Sequence, residues 1–208
     1  EKQSTIGLQK KFNYALQPMS KKEFIQVVLD GMPPAPKYFE HDVMLNREGY
    51  KSVSKIISKS LKKFTPSEIE DEIAKGAVVL DVRMPKHFES GFIPTSINIG
   101  KAGMFAPWVG TIMSPNSNMI IICNPNEERE VISRLARVGY EKIIGFMCGV
   151  DEWKKDKRSL DNIASILPKE ILSHIKNSIK ILDVRGQDEL KSGVVKNSIH
   201  IPVQELEN

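Results

Sequence analysis

Positions 77–82 read Ala-Val-Val-Leu-Asp-Val, an almost unbroken apolar run with no alternation for a solvent-facing side. Such a run predicts a strand covered on both faces, the usual condition of a parallel sheet. Shorter runs at 96–99, 119–123 and 142–146 predict further strands. Between the last two, Val131, Ile132, Leu135 and Val138 recur with helical spacing, Glu130 and Arg134 pair at i,i+4 on the other face, and Gly139 supplies a C-cap. Upstream, Thr65-Pro66-Ser67-Glu68 is a capping box with Pro at the first helical position, and Gly76 ends the helix it opens. The stretch 65–156 is therefore expected to be an α/β domain, a parallel sheet flanked by helices.

The first fifty residues carry a different pattern. Ser20-Lys21-Lys22-Glu23 is a second capping box, after which Phe24, Val27 and Val28 mark an apolar face and Gly31 a stop. Pro33, Pro34 and Pro36 force an extended crossing before a short helix near 40–46. Two small helices bury little surface, so 1–50 is expected to be a tail that packs on something outside it.

The chain also repeats itself. VLDVRMPKHFESGFIPTSINI at 79–99 aligns without a gap with ILDVRGQDELKSGVVKNSIHI at 181–201, an offset of 102 residues from Asp81 to Asp183. That period suits a whole small α/β domain used twice, not a solenoid. The second copy is expected to open with a helix at 168–177 and a strand at 179–184. As 167–208 it would supply only the N-terminal half of a domain, with 51–64 and 157–166 as linkers.

Composition narrows the possible functions. At 208 residues and 40% hydrophobic, the chain is long enough for one or two cores. It has no apolar run of membrane-spanning length, and Glu1-Lys2-Gln3-Ser4 lacks a signal-peptide core, so a soluble, cytoplasmic protein without membrane contact is expected. Two cysteines, Cys123 and Cys148, cannot build a secreted disulfide framework. The net charge of +4 concentrates in Lys51, Lys55, Lys59, Lys62 and Lys63 and in the KKDKR run at 154–158. Neither patch carries interleaved aromatics, so both are read as solvated linkers and no nucleic-acid partner is expected.

The LDVR strand, the short helix ending Ser-Gly, the Ser-Ile-Asn-Ile strand and a later strand delivering Cys123 to a helix N-terminus together resemble the rhodanese sulfurtransferase family. Gly149-Val150-Asp151-Glu152-Trp153 resembles that family's closing Gly-Gly-x-x-x-Trp element. The stretch 4–39, STIGLQKKFNYALQPMSKKEFIQVVLDGMPPAPKYF, is similar to the C-terminal tail of metallo-β-lactamase-fold persulfide dioxygenases, which are often fused to one or two rhodanese domains. The resemblance implies a longer parent that oxidises low-molecular-weight persulfides at an upstream metal centre, non-haem iron or zinc, and transfers sulfane sulfur through a downstream rhodanese cysteine. Its partners would be a thiol persulfide, sulfite and thiosulfate, and a homo-oligomer is expected. The alternative is a non-catalytic rhodanese scaffold that organises oligomers of a metallo-hydrolase.

A working rhodanese loop holds a cysteine thiolate in a cradle of backbone amides at a helix N-terminus. Cys123-Asn124-Pro125-Asn126-Glu127-Glu128-Arg129 departs from that design. Pro125 removes an amide. Glu127 and Glu128 favour the helix by about 0.3–1 kcal/mol each, but place negative charge where the thiolate would form. The first copy is therefore expected to be a pseudo-rhodanese, inactive by itself, with Cys123 and Cys148 as packing residues. The same two carboxylates disfavour a phosphatase-like or arsenate-reductase-like use of the loop. Asp81, Arg83, Asp183 and Arg185 are assigned a structural role, the Asp accepting amides of the next turn and the Arg pairing with Glu89 or Glu189. His41, His87, His174 and His200 are isolated in sequence, so no metal site or cofactor is expected in this segment.

Overall fold

The computed structural model describes residues 3–30, 38–49, 51–171 and 179–206. It divides into two compact units, Glu1–Ala35 and Pro36–Asn208.

In the first unit, α1 (Ile6–Phe12) starts where Thr5 caps the Leu8 amide, a 3-10 turn follows at Tyr14–Leu16, and α2 is Lys21–Leu29. The Ser20–Glu23 capping box forms with both bonds, Ser20 N donating to Glu23 Oε2 at 2.7 Å and Glu23 N to Ser20 Oγ at 3.3 Å. Neither helix contains a buried residue, and Ile6, Phe12, Ile25 and Leu29 are exposed. Gly31, Pro33, Pro34 and Pro36 lie outside the described residues.

The second unit begins with α3 (Phe39–Glu48), α4 (Val53–Ser60) and α5 (Pro66–Ala74). It continues through β1 (Val78–Asp81), α6 (Pro85–Glu89), β2 (Ile97–Asn98), α7 (Phe105–Ile112), β3 (Met119–Cys123), α8 (Glu128–Ala136), β4 (Ile143–Cys148) and α9 (Asp151–Lys155). The strands form a parallel sheet in the order β2-β1-β3-β4. Period-2 alternation sorts the side chains into two cores. Leu80, Val82, Met119, Ile121 and Cys123 face one side, with Phe105, Val109, Val131, Ile132 and Leu135 of α7 and α8. Val79, Ile120, Ile122 and Met147 face the other, with Ile69 of α5 and Trp153 of α9. The apolar run that suggested a doubly covered strand is one, and Glu130 and Arg134 do pair, at 3.8 Å.

The stretch 51–64 is not a linker. Lys55 and Lys59 are exposed on α4, an amphipathic helix that packs on α8 and β4, buries Ile56 and donates from Ser60 Oγ to the Ile143 carbonyl at 2.7 Å. Beyond it, Lys63 bridges in parallel to Phe146, which ties the segment to β4. Acids outside the run pair with three of its lysines: Lys51 meets Glu141, Lys62 meets Glu68 and Lys63 meets Glu152. The stretch 157–166 is likewise attached to the domain, through an antiparallel bridge between Phe92 and Asp161 and the packing of Leu160.

The second copy forms β5 (Leu182–Asp183) and β6 (Ile199–His200), a two-stranded parallel sheet, so the expected strand at 179–184 is shorter than its pattern. The expected helix at 168–177 is described only as far as a 3-10 turn at Pro168–Glu170 and Ile171. Among the described residues, no helix is long and apolar enough to cross a membrane.

Candidate functional site

The site is built by the end of β3. Cys123 closes an apolar strand, is completely buried, and accepts a 2.8 Å bond at its carbonyl from the Gly149 amide. The chain then turns through Asn124 and Pro125 to Asn126, whose φ of 68° is a left-handed conformation that asparagine tolerates. Glu127 is the N-cap of α8 and Glu128 its first residue.

The two acids that the sequence placed together have different surroundings. Glu127 is held by Lys101 at 3.0 Å and by the Asn124 side-chain amide at 3.0 Å. Burial alone would raise its pKa, but these bonds hold it below the ordinary carboxylate value. Glu128 instead faces the thiol. Its Oε2 is buried with no hydrogen-bond partner, and its carboxylate, Cys123 Sγ and Cys148 Sγ each offer an atom within 4.8 Å of the others.

Strand pairing brings the second cysteine there. Cys123 lies opposite Cys148 in the β3–β4 register, and β4 runs two residues beyond the expected end at 146. Cys148 is half-buried rather than fully buried, and it does have charged neighbours, because the fold supplies Lys63 and Glu128 from distant positions. Burial, then Cys148, then the Glu128 and Glu127 carboxylates push the Cys123 thiol far above its ordinary value. Burial and Glu128 also raise Cys148, while Lys63 pulls it down. Each of these causes disfavours the thiolate form of Cys123.

Asp81 and Arg83 form a buried pair. Arg83 Nη2 lies 2.6 Å from Asp81 Oδ2, its Nε donates to both carboxylate oxygens at 3.0 Å, and Nη2 also donates to the Gly91 carbonyl at 3.0 Å. The Arg83 amide donates to Asp81 Oδ1 at 3.0 Å, the turn bond expected for this motif. The guanidinium partner is Asp81 itself rather than Glu89. Arg185 likewise takes Asp183, at 2.7 Å, and the Gly193 carbonyl, while the Glu189 carboxylate accepts the Gly186 amide. None of these four residues joins the Cys123 cluster.

The repeat extends to turn geometry. Thr95 (φ 69°) and Asn197 (φ 66°), equivalent positions, are both left-handed. Asn98 and His200, also equivalent, both reach the carbonyl of the motif arginine, at 3.0 and 2.7 Å. Of the remaining histidines, His41 places Nε2 3.2 Å from the Gly139 carbonyl, and His174 lies outside the described residues. Among the described residues, the one group of three or more potential metal ligands is Cys123, Glu128 and Cys148, which contains no histidine and does not suit a histidine-rich iron centre.

The family comparison matches these residues. Residues 65–156 match the family model of the rhodanese-like domain. Among solved structures, a metallo-β-lactamase from Staphylococcus aureus subsp. aureus COL is similar with a TM-score of 0.56 and 19% identity, over 70% of this chain and 40% of that one. A rhodanese-related protein from Thermoplasma volcanium is similar at TM-score 0.40 and 23% identity, over 48% of this chain and 97% of that one. A thiosulfate sulfurtransferase from Pseudomonas aeruginosa is similar at TM-score 0.42 and 16% identity, over 82% and 37%. The chain thus spans 40% of the length of the Staphylococcus aureus structure. No curated protein sequence matches it. The rhodanese-like domain occupies the α/β part of the second unit, and its cysteine loop is the one that carries Glu127 and Glu128.

Proposed function

We propose that this chain is the rhodanese-bearing part of a sulfide-detoxifying enzyme, within which the domain at 65–156 is a non-catalytic spacer. Persulfide oxidation would belong to a metal-binding domain of metallo-β-lactamase type, and sulfane-sulfur transfer to a cysteine of a completed second rhodanese copy, both outside these 208 residues. The observation that carries the spacer role is the state of Cys123, fully buried beside an unpartnered carboxylate. Sulfur transfer needs a thiolate that attacks sulfane sulfur and then holds an anionic persulfide. Burial, Cys148, Glu128 and Glu127 all work against that charge.

The second copy supports the rest of the reading. Leu80 and Val82 are 0% and 1% exposed, whereas their equivalents Leu182 and Val184 are 47% and 40% exposed. The repeated LDVR segment thus keeps the polar scaffold of a rhodanese motif while its apolar side chains await a covering layer.

Two measurements test the proposal. With thiosulfate labelled at the sulfane sulfur, followed by cyanide, Cys123 is expected to acquire no label and thiocyanate none. Stoichiometric label on Cys123 would overturn the spacer assignment. The polypeptide isolated from its native source is expected to exceed 23.4 kDa, the mass of this sequence, by the metal domain and the missing half-copy. A native mass equal to it would overturn the larger enzyme.

A further inference from the structure

The surroundings of Cys123 hold more chemistry than a packing cysteine requires. Register puts Cys123 beside Cys148, both on the sheet face that α8 covers, and the first residue of α8 turns a carboxylate toward them. The three donor atoms lie mutually within 4.8 Å. Glu128 Oε2 is buried and unpartnered, an arrangement that costs on the order of 1–3 kcal/mol and that native proteins rarely keep without an ion or water. The nearby cations are engaged elsewhere, Lys101 with Glu127 and Glu130 and Lys63 with Glu152 at 2.6 Å.

We propose that Cys123, Cys148 and Glu128 form a binding site for a thiophilic divalent cation, zinc in the simplest case, held by two thiolates and one carboxylate oxygen. Two sulfur donors select against magnesium and calcium, and a tetrahedral zinc site with Zn–S of about 2.3 Å and Zn–O of about 2.0–2.2 Å places its ligand atoms well inside that 4.8 Å envelope. Cys148, half-buried, provides the path of entry and leaves the fourth position to water or an added thiol.

Charge that opposes a free thiolate favours this complex. A divalent cation replaces two thiol protons, which leave to solvent, and the bound set of two thiolates and a carboxylate carries a net charge of −1 beside the positive end of α8. Cys123 is then a ligand, and its loop has exchanged sulfur chemistry for metal binding. This departs from the sequence expectation of a metal-free segment. It needs only the geometry of this pocket and stands independently of the larger enzyme proposed above.

The test uses the whole 208-residue chain, reduced and stripped of metal, with cadmium as the probe. Titration is expected to develop a thiolate-to-cadmium charge-transfer band that saturates at one equivalent, release two protons per ion in weak buffer, and reverse on addition of excess chelator. Cys148→Ser should abolish the band. Glu128→Gln should weaken binding by at least about 10-fold, the scale seen when support for a metal ligand is lost. Urea midpoints without metal establish that both variants are folded, which their partly exposed positions allow. No band from the fully reduced wild-type chain would overturn the site, as would saturation beyond one equivalent. A band and affinity unchanged in Glu128→Gln would remove the carboxylate and overturn the three-ligand assignment.

Discussion

Asp81–Arg83 and Asp183–Arg185 are the same two residues in the same local geometry, and the solvent around them differs. The first pair is buried, so Asp81→Ala would leave a guanidinium without its counter-charge. A loss of about 3–5 kcal/mol is expected, read from the urea midpoint. The equivalent change at Asp183 should move that midpoint far less, since solvent screens its pair. Arg185 still holds the Asp183 carboxyl down at about 2, against an ordinary value of 3.8. A depressed carboxyl contributes stability that is fully present above the ordinary value and is lost as pH falls from about 4 through 2. Side-chain carboxyl NMR of Asp183 should therefore show a midpoint near 2, and Arg185→Ala should return it toward the ordinary value. The two cysteines differ by exposure in the same way. At pH 8, alkylation followed by peptide mapping should modify half-buried Cys148 before buried Cys123, and the reverse order would contradict the packing described.

At the level of elements, the parts readable in the residues are those held by short-range bonds. Both capping boxes form where Ser20–Glu23 and Thr65–Glu68 place them, because each is a closed set of contacts within four residues. The β1 and β3 runs became doubly covered strands because they are apolar apart from Asp81, whose carboxylate Arg83 satisfies. The sequence reads the α4 region as a linker because Lys51, Lys55, Lys59, Lys62 and Lys63 crowd a stretch with no acid. Only three-dimensional packing reveals that Ile56 is buried, that Ile57 packs on the core and that Glu141, Glu68 and Glu152 meet lysines beside the helix. The join between this segment and β4 is tight. A Cβ on Gly145 would lie 2.8 Å from the Lys62 carbonyl and 2.9 Å from the Phe64 ring. Gly145→Ala should thus destabilise the chain by about 1–3 kcal/mol in chemical denaturation, the usual range for overpacking.

Over the whole molecule, the two copies should differ in stability as they do in burial. Amides of β1, β3 and β4 lie in a covered four-stranded sheet, whereas those of β5 and β6 have one neighbouring strand each. Hydrogen exchange followed by mass spectrometry should find the first set protected and the second exchanging early, although β1 and β5 share the LDVR motif. Equal protection would mean that the second copy finds its cover within these residues. The repeat, the capped helices, the apolar strands and the LDVR turn all follow from neighbours in the chain, since their bonds span a few residues and their periods are those of the helix and the strand. The site followed only from assembly. Cys123 and Cys148 are 25 residues apart and meet through strand register, while Lys63 arrives from another segment and Glu128 turns inward as Glu127 is drawn away by Lys101. Burial, and with it the charge a thiol can carry, is a property of packed layers and not of any segment that forms them.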